Sequence, residues 1–78
     1  MFEFKVNLRS VDDVKLFVSA ASLVDDDVDV FSGRYLVDAK SIMGLFSLDL
    51  AKPITVQFHG DETALGAFQK EITPLLAD

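Results

Sequence analysis

The sequence predicts a two-layer α+β domain in which amphipathic helices cover one face of a sheet. Segments with an apolar residue at every second position alternate with capped segments of helical spacing, in the order β-α-β-β-α-β-α. The 78 residues supply enough material for only one hydrophobic core, so we expect residues 1–78 to form a single domain. Because 50% of the residues are hydrophobic and 26% are charged, a packed domain is favoured over disorder.

The first two elements are a strand and a helix. Apolar and polar residues alternate in "MFEFKVNLR", which predicts a half-buried strand. Ser10 then occupies the N-cap position, and Asp12 and Asp13 fall in the first turn of the following helix. The inward face of this helix is predicted from apolar residues at helical spacing: Val14, Phe17, Val18 and Ala21.

The middle of the chain contains two strands and a short helix. The acidic run at 25–27 separates the first helix from the strand "VDVF". "SG" at 32–33 is typical of a turn, so "RYLVD" is predicted to return as an antiparallel third strand. The stretch "AKSIMGLFSL" at 39–48 follows as a short helix that begins near Ser41.

The last strand and helix follow Pro53. Ile54, Val56 and Phe58 alternate with polar residues and predict the fourth strand. Gly60 turns the chain and Asp61 caps a helix. The inward face of that helix is predicted to consist of Ala64, Leu65, Phe68 and Ile72.

Composition excludes several classes of function. The net charge is -6, which argues against binding a nucleic-acid backbone or an anionic membrane surface. With no cysteine, the chain has no disulfide framework, thiolate metal site or thiol nucleophile. The charged opening segment is neither a signal peptide nor a membrane span. We therefore expect a cytoplasmic protein with no nucleic-acid partner and no membrane partner.

The order of elements, together with "DAKSIMGLFSL" at the second helix, resembles HPr, the histidine-containing phosphocarrier of the bacterial sugar phosphotransferase system. The resemblance covers essentially the whole chain. Its most specific part is "KSIMGLFSL" at 40–48, which is similar to the regulatory-serine segment of HPr proteins from Gram-positive bacteria; "GDETAL" at 60–65 lies where the family begins its third helix. The resemblance implies an HPr-like open-faced β-sandwich, a four-stranded antiparallel sheet covered on one face by three helices.

The resemblance aligns Ser10 with the family's phosphorylatable histidine, Asp12 with its arginine and Asp13 with its proline. A shift of one residue would place Arg9 or Val11 at the histidine position, and neither accepts a phosphoryl group. A serine ester is a much poorer phosphoryl donor than a phosphorylated imidazole. Two carboxylates in the first turn would also repel a phosphoryl group that carries about two negative charges. We therefore expect no catalytic residue and no histidine phosphocarrier activity.

Ser41 has two compatible interpretations. Its hydroxyl is a predicted N-cap of the second helix. The resemblance implies in addition that Ser41 is phosphorylated by a dedicated HPr kinase. Lys40 would attract the phosphate and Asp38 would oppose it.

An apolar patch follows this serine. The resemblance implies that Ile42, Met43 and Phe46 form an exposed surface that docks onto a protein partner, either HPr kinase or a transcriptional regulator. An apolar patch with a polar rim is a reasonable interaction surface on physical grounds as well. The alternative is that Ile42 is half core and that Met43 and Phe46 are ordinary exposed apolar residues. Asp12 replaces an arginine that the resemblance implies for partner binding, and an acid there would repel acidic partners.

Neither a metal nor a cofactor is expected. The acidic stretch at 25–29 lacks the glycine and the distal glutamate of a calcium loop, so a solvated turn is favoured. His59 is the only histidine, and its place beside Gly60 indicates a solvated strand end.

Three functions remain open at this point. The first is a non-catalytic, HPr-like regulatory protein that binds a partner through the second helix. The second is a serine-phosphorylated HPr-type protein acting in carbon catabolite control. The third is a degenerate HPr-like domain with no phosphotransferase role. The exposed edge of the predicted sheet allows a monomer or a weak dimer.

Overall fold

The computed structural model describes residues 1–77 and contains one sheet and three α-helices. The strands are β1 (Phe2–Val6), β2 (Val28–Ser32), β3 (Tyr35–Asp38) and β4 (Ile54–Phe58). The helices are α1 (Val11–Ser22), α2 (Ile42–Phe46) and α3 (Glu62–Glu71), followed by a 3₁₀ turn at Thr73–Leu75. The predicted α+β class, with its order of strands and helices, is confirmed.

The four strands are ordered β1-β4-β2-β3, and all neighbours are antiparallel. Strand β1 is one edge of the sheet. Its outer side is held by the C-terminal segment, because the Asn7 N–H donates to the Leu75 carbonyl at 2.7 Å and the Ala77 N–H donates to the Lys5 carbonyl at 2.9 Å. Strand β3 is the other edge, and within residues 1–77 no strand pairs with its outer side.

The hydrophobic core lies between one face of the sheet and the helices. The Phe68 ring from α3 is at its centre and packs against three further rings, with centroid distances of 6.3 Å to Phe4, 5.8 Å to Phe17 and 5.5 Å to Phe58. These contacts join β1, β4, α1 and α3 in one cluster. Among residues 1–77 no polar side chain is fully buried, so the core is purely apolar.

Each α-helix begins after a side-chain cap. Ser10, Ser41 and Asp61 accept a hydrogen bond from the backbone N–H three residues later, at 3.1, 3.2 and 2.8 Å. These contacts satisfy donors that a helix N-terminus otherwise leaves unpaired, and they confirm the predicted helix starts. In the described part of the chain no helix has the length and apolar character needed to span a membrane.

The inward faces of the helices differ slightly from those predicted. On α1 the buried residues are Val14, Phe17, Ala20 and Ala21, whereas the predicted Val18 is only half-buried. On α3 only Phe68 is fully buried. The reason is that helical spacing defines a stripe about one third of the circumference wide, and the neighbouring elements decide which part of that stripe they cover.

Candidate functional site

A shallow groove of about 650 Å³ lies where the start of α1 meets the end of α2. It brings together Ser10 and Phe46, two predicted site residues that are far apart in the sequence. Arg9 is the only charged residue in the lining, which is otherwise largely apolar. The lining residues are Leu8, Arg9, Ser10, Val11, Val14, Phe46, Leu50 and Ala51.

Side chains at the start of α1 accept hydrogen bonds from the backbone N–H groups of the same segment. The Ser10 hydroxyl oxygen accepts a hydrogen bond from the Asp13 N–H at 3.1 Å. The Asp13 carboxylate accepts one in turn from the Arg9 N–H at 2.9 Å, and the Val14 N–H donates to the Ser10 carbonyl at 3.2 Å. Asp12 is exposed in the same turn. Carboxylates complement the positive end of a helix dipole, so this terminus is well stabilised.

Ser41 lies on the surface at the start of α2. Its hydroxyl oxygen accepts a hydrogen bond from the Gly44 N–H at 3.2 Å, so the capping role is confirmed. A Cβ added at Gly44 would lie 3.1 Å from the Ser41 hydroxyl oxygen and 3.3 Å from the Val37 Cβ. The absence of a side chain at Gly44 therefore lets α2 approach β3 closely and keeps the serine against the helix.

We call Ile42, Met43 and Phe46 the α2 patch. Met43 is 78% exposed and Phe46 is 44% exposed. Ile42 is half-buried and packs against the core, while Leu45 on the inner side of the helix is completely buried. The patch therefore presents two outward apolar side chains, with Ile42 at its margin.

Sequence reasoning did not identify two apolar residues of the groove, Val11 and Leu50. Val11 is the first residue of α1 and is exposed, and Leu50 is half-buried. Val11 is three residues before the buried Val14, a spacing that by itself predicts burial. Only the tertiary arrangement leaves Val11 exposed beside Phe46, so the sequence carried no signal for it.

His59 is exposed, as predicted, and lies directly after β4. Its Nε2 atom is 3.0 Å from a carboxylate oxygen of Asp29. This cross-strand partner was not predicted. The neighbouring acidic run at 25–27 does not form a metal site with it, since the described residues contain no group of three side chains arranged to hold a metal ion.

The register of the sheet places His59 and Ser10 at opposite ends. Phe58 pairs with Phe2 at the start of β1, and Ile54 pairs with Val6 at its end. His59 follows the first pair, whereas Ser10 follows the second. The two pairs are four residue steps apart, which is about 14 Å along the sheet.

The overall structure is similar to solved phosphocarrier proteins. No protein-family model and no curated protein matches the sequence. HPr-C-His from Thermoanaerobacter tengcongensis is 28% identical with a TM-score of 0.75, over 94% of this chain and 92% of that chain. The phosphocarrier protein HPr from Bacillus anthracis str. Ames is 29% identical with a TM-score of 0.69, over 90% of this chain and 92% of that chain. The chain is HPr-like.

The histidine-containing phosphocarrier protein of Mycoplasma has the same fold at lower identity. It is 18% identical, with a TM-score of 0.71 over 99% of this chain and 98% of that chain. The HPr-like fold is thus shared over nearly the full length of all three proteins. The elements that form the groove, α1 and α2, therefore belong to the fold that this chain shares with the three proteins.

Proposed function

We propose that this HPr-like chain is a non-catalytic regulatory protein that binds a protein partner through the α2 patch and the adjoining groove, and that it is not a histidine phosphocarrier. The observation that carries the proposal is the arrangement at the start of α1. The resemblance aligns the acceptor position with Ser10, whose hydroxyl accepts a hydrogen bond from the Asp13 N–H, while the Asp13 carboxylate accepts one from the Arg9 N–H. A phosphoryl group there would need positive and N–H partners, and it would instead meet the carboxylates of Asp12 and Asp13.

The single histidine also supports a role other than phosphoryl transfer. His59 lies at the far end of the sheet from the groove and contacts the carboxylate of Asp29. The one cationic side chain of the groove is Arg9, and no imidazole lies beside it. A carrier needs an acceptor nitrogen within reach of its donor and its recipient.

Partner binding is supported by exposed apolar surface. Met43 and Phe46 point outward from α2, and Val11 continues this surface across the groove. Aromatic and methionine side chains are enriched at protein interfaces, where a few such residues contribute most of the binding energy. The proposed partner is a cytoplasmic protein, either HPr kinase or a transcriptional regulator.

A second candidate, serine phosphorylation for carbon catabolite control, is favoured by the exposure of Ser41. A kinase requires an accessible hydroxyl, and Ser41 donates no hydrogen bond to a protein group within residues 1–77. Phosphate at Ser41 would add about two negative charges beside the α2 patch. Such a change would alter the affinity for a charged partner and so gate its binding.

Phosphoryl transfer tests the non-carrier proposal. The protein is incubated with phosphoenolpyruvate and enzyme I, and phosphorylation is measured by intact mass. We expect no phosphate on the wild-type chain, and we expect the variant Ser10→His with Asp12→Arg and Asp13→Pro to gain one. Phosphate on His59 or Ser10 of the wild type would contradict the proposal. If the triple variant also stays unmodified while a carrier HPr is labelled in parallel, the degenerate-domain hypothesis is favoured.

Binding is tested separately from modification. With HPr kinase and ATP, we expect one phosphate on the wild type and none on Ser41→Ala. With a catabolite-control regulator, we expect Met43→Asp and Phe46→Asp to weaken the complex, whereas Leu23→Asp leaves it unchanged. Leu23 is a matched control because it is also apolar and strongly exposed but lies at the opposite end of α1 from the groove. If all three substitutions changed the affinity equally, the α2 patch would be ruled out as the binding surface.

A further inference from the structure

Strand β3 leaves one edge of the sheet open. Within residues 1–77 it pairs only with β2, whereas the opposite edge, β1, is covered by residues 75–77. Tyr35 and Leu36 on β3 are 71% and 55% exposed. An open strand edge with apolar side chains is a template for another strand.

The backbone groups of Leu36 face this open edge. The Ala39 N–H donates to the Val28 carbonyl at 2.9 Å, in the register in which Val37 pairs with Val30. Hydrogen-bonded and non-hydrogen-bonded pairs alternate along an antiparallel ladder. Val37 therefore bonds to β2, and the N–H and C=O groups of Leu36 point away from it.

We propose that two copies of this chain associate through β3, with the two strands antiparallel about a twofold axis at Leu36. In this register Leu36 lies opposite Leu36 of the second copy, with reciprocal backbone hydrogen bonds. Tyr35 lies opposite Val37, and Arg34, the turn residue directly before β3, lies opposite Asp38 where the pairing is extended by one residue. The two sheets then form one continuous eight-stranded sheet. This inference is independent of the proposed function, because β3 contributes no residue to the groove or to the α2 patch.

Complementary charges favour a second copy of this chain as the partner that pairs with the open edge of β3. Arg34 and Asp38 are both exposed, and among residues 1–77 neither takes part in an ion pair. The twofold axis places each beside its opposite charge, so the dimer contains the Arg34–Asp38 pair twice. Opposite charges stabilise a strand pair when they lie directly across from each other, and so does an aromatic residue opposite a β-branched one.

Neighbouring registers lose this complementarity. The smallest shift that keeps the Leu36 backbone groups paired is one of two residues. It places Arg34 opposite either Leu36 or Lys40 of the second copy. Both shifts abolish the two ion pairs, and the second brings two cations together. A shift of one residue would turn the side chains to the wrong face. Residues 34–38, which are β3 and the turn residue before it, therefore specify one register.

Sedimentation equilibrium over a range of protein concentrations tests the dimer. About 0.15 M salt is used, so that the repulsion between two copies of net charge -6 is screened beyond about 8 Å. We expect Arg34→Asp to weaken association about ten-fold, and Asp38→Arg to do the same. The double variant, which exchanges the two charges, is expected to restore it.

The controls carry the same charge changes at exposed positions elsewhere. Lys70→Asp matches Arg34→Asp, and Asp25→Arg matches Asp38→Arg; we expect both to associate like the wild type. The Asp38 carboxylate also accepts a hydrogen bond from the Lys40 N–H, so circular dichroism is used to check that Asp38→Arg is folded. Within residues 1–77 Arg34 takes part in no ion pair, so the Arg34→Asp variant is the decisive one.

Cross-linking tests the register. The natural chain has no cysteine, so Leu36→Cys introduces a single thiol. In the proposed dimer the two Leu36 Cα atoms are about 5.5 Å apart, which a disulfide spans. Tyr35→Cys is the control, because its two Cα atoms would be about 8 Å apart. We expect covalent dimers from the first variant and much slower formation from the second.

Three results would overturn the inference. The first is a wild type that remains monomeric at all concentrations, which would leave the edge free or available to a different protein. The second is an association that Arg34→Asp does not weaken or that the charge exchange does not restore. The third is equal cross-linking of Leu36→Cys and Tyr35→Cys.

Discussion

Two glycines have opposite structural roles. A Cβ added at Gly60 would collide with the Asp26 carboxylate and would lie 2.6 Å from the Phe58 ring. A Cβ added at Gly66, within α3, would meet no atom within 4 Å. Gly60 therefore lets the acidic loop fold against the end of β4, whereas Gly66 only adds flexibility to a helix.

We predict opposite effects for alanine at these two positions. Gly60→Ala should lower the free energy of unfolding by about 1–3 kcal/mol, because the new methyl group overpacks the site. Gly66→Ala should raise it by about 0.4–1 kcal/mol, because the unfolded chain loses conformational freedom. Urea unfolding of both variants measures this difference. A more stable Gly60→Ala variant would contradict the close packing around the Asp26 carboxylate.

Local and non-local side-chain contacts differ in how well the sequence predicts them. The caps at Ser10, Ser41 and Asp61 were predictable, because each side chain bonds to a backbone group three residues away. The contact between His59 and Asp29 was not, because it joins positions 30 residues apart. Such a pair depends on the strand register, which the local pattern does not specify.

Helix α2 depends on the core for its stability. It has five residues, and a helix of this length is not stable by itself in water. Leu45 anchors the helix because it is fully buried in the core, and the Ser41 cap satisfies one of the helix N–H groups. The outer side, with Met43 and Phe46, makes no comparable contribution to stability and is free to contact a partner.

We predict that different residues of α2 contribute to the stability of the fold and to the binding of a partner. Leu45→Ala should reduce the free energy of unfolding by about 2–5 kcal/mol, because it leaves a cavity in the core. Met43→Ala should change it by no more than about 0.5 kcal/mol, because the side chain is exposed. Urea titration followed by circular dichroism provides both values. A large loss of stability for Met43→Ala would mean that this residue belongs to the core and not to the α2 patch.

The aromatic cluster around Phe68 connects the helix layer of the molecule to its sheet. Phe68 contacts rings from β1, α1 and β4, so one side chain links the last helix to the sheet and to the first helix. Four-stranded sheets with one open face depend on such a cover for their stability. The fold as a whole should therefore respond strongly to this position.

We predict that Phe68→Ala destabilises the protein by about 3–5 kcal/mol, since it removes a buried ring and leaves a cavity. Phe68→Leu should cost less, because it retains part of the volume. Tyr35→Ala is the control, since its ring is largely exposed and its loss should cost little. Thermal unfolding at low protein concentration, where β3 stays unpaired, measures all three. A mild effect of Phe68→Ala would show that the layers are held together elsewhere.

The fold class, the order of the elements and the helix starts were predictable from the sequence. Alternation, helical spacing and capping act over a few residues, so they can be recognised without knowledge of the fold. Three features emerge only in the folded structure: Val11 and Phe46 border one groove, His59 lies at the far end of the sheet from Ser10, and within residues 1–77 no strand pairs with the outer edge of β3. These features depend on how distant segments pack, and no local pattern specifies which of several equally apolar residues its neighbours will cover.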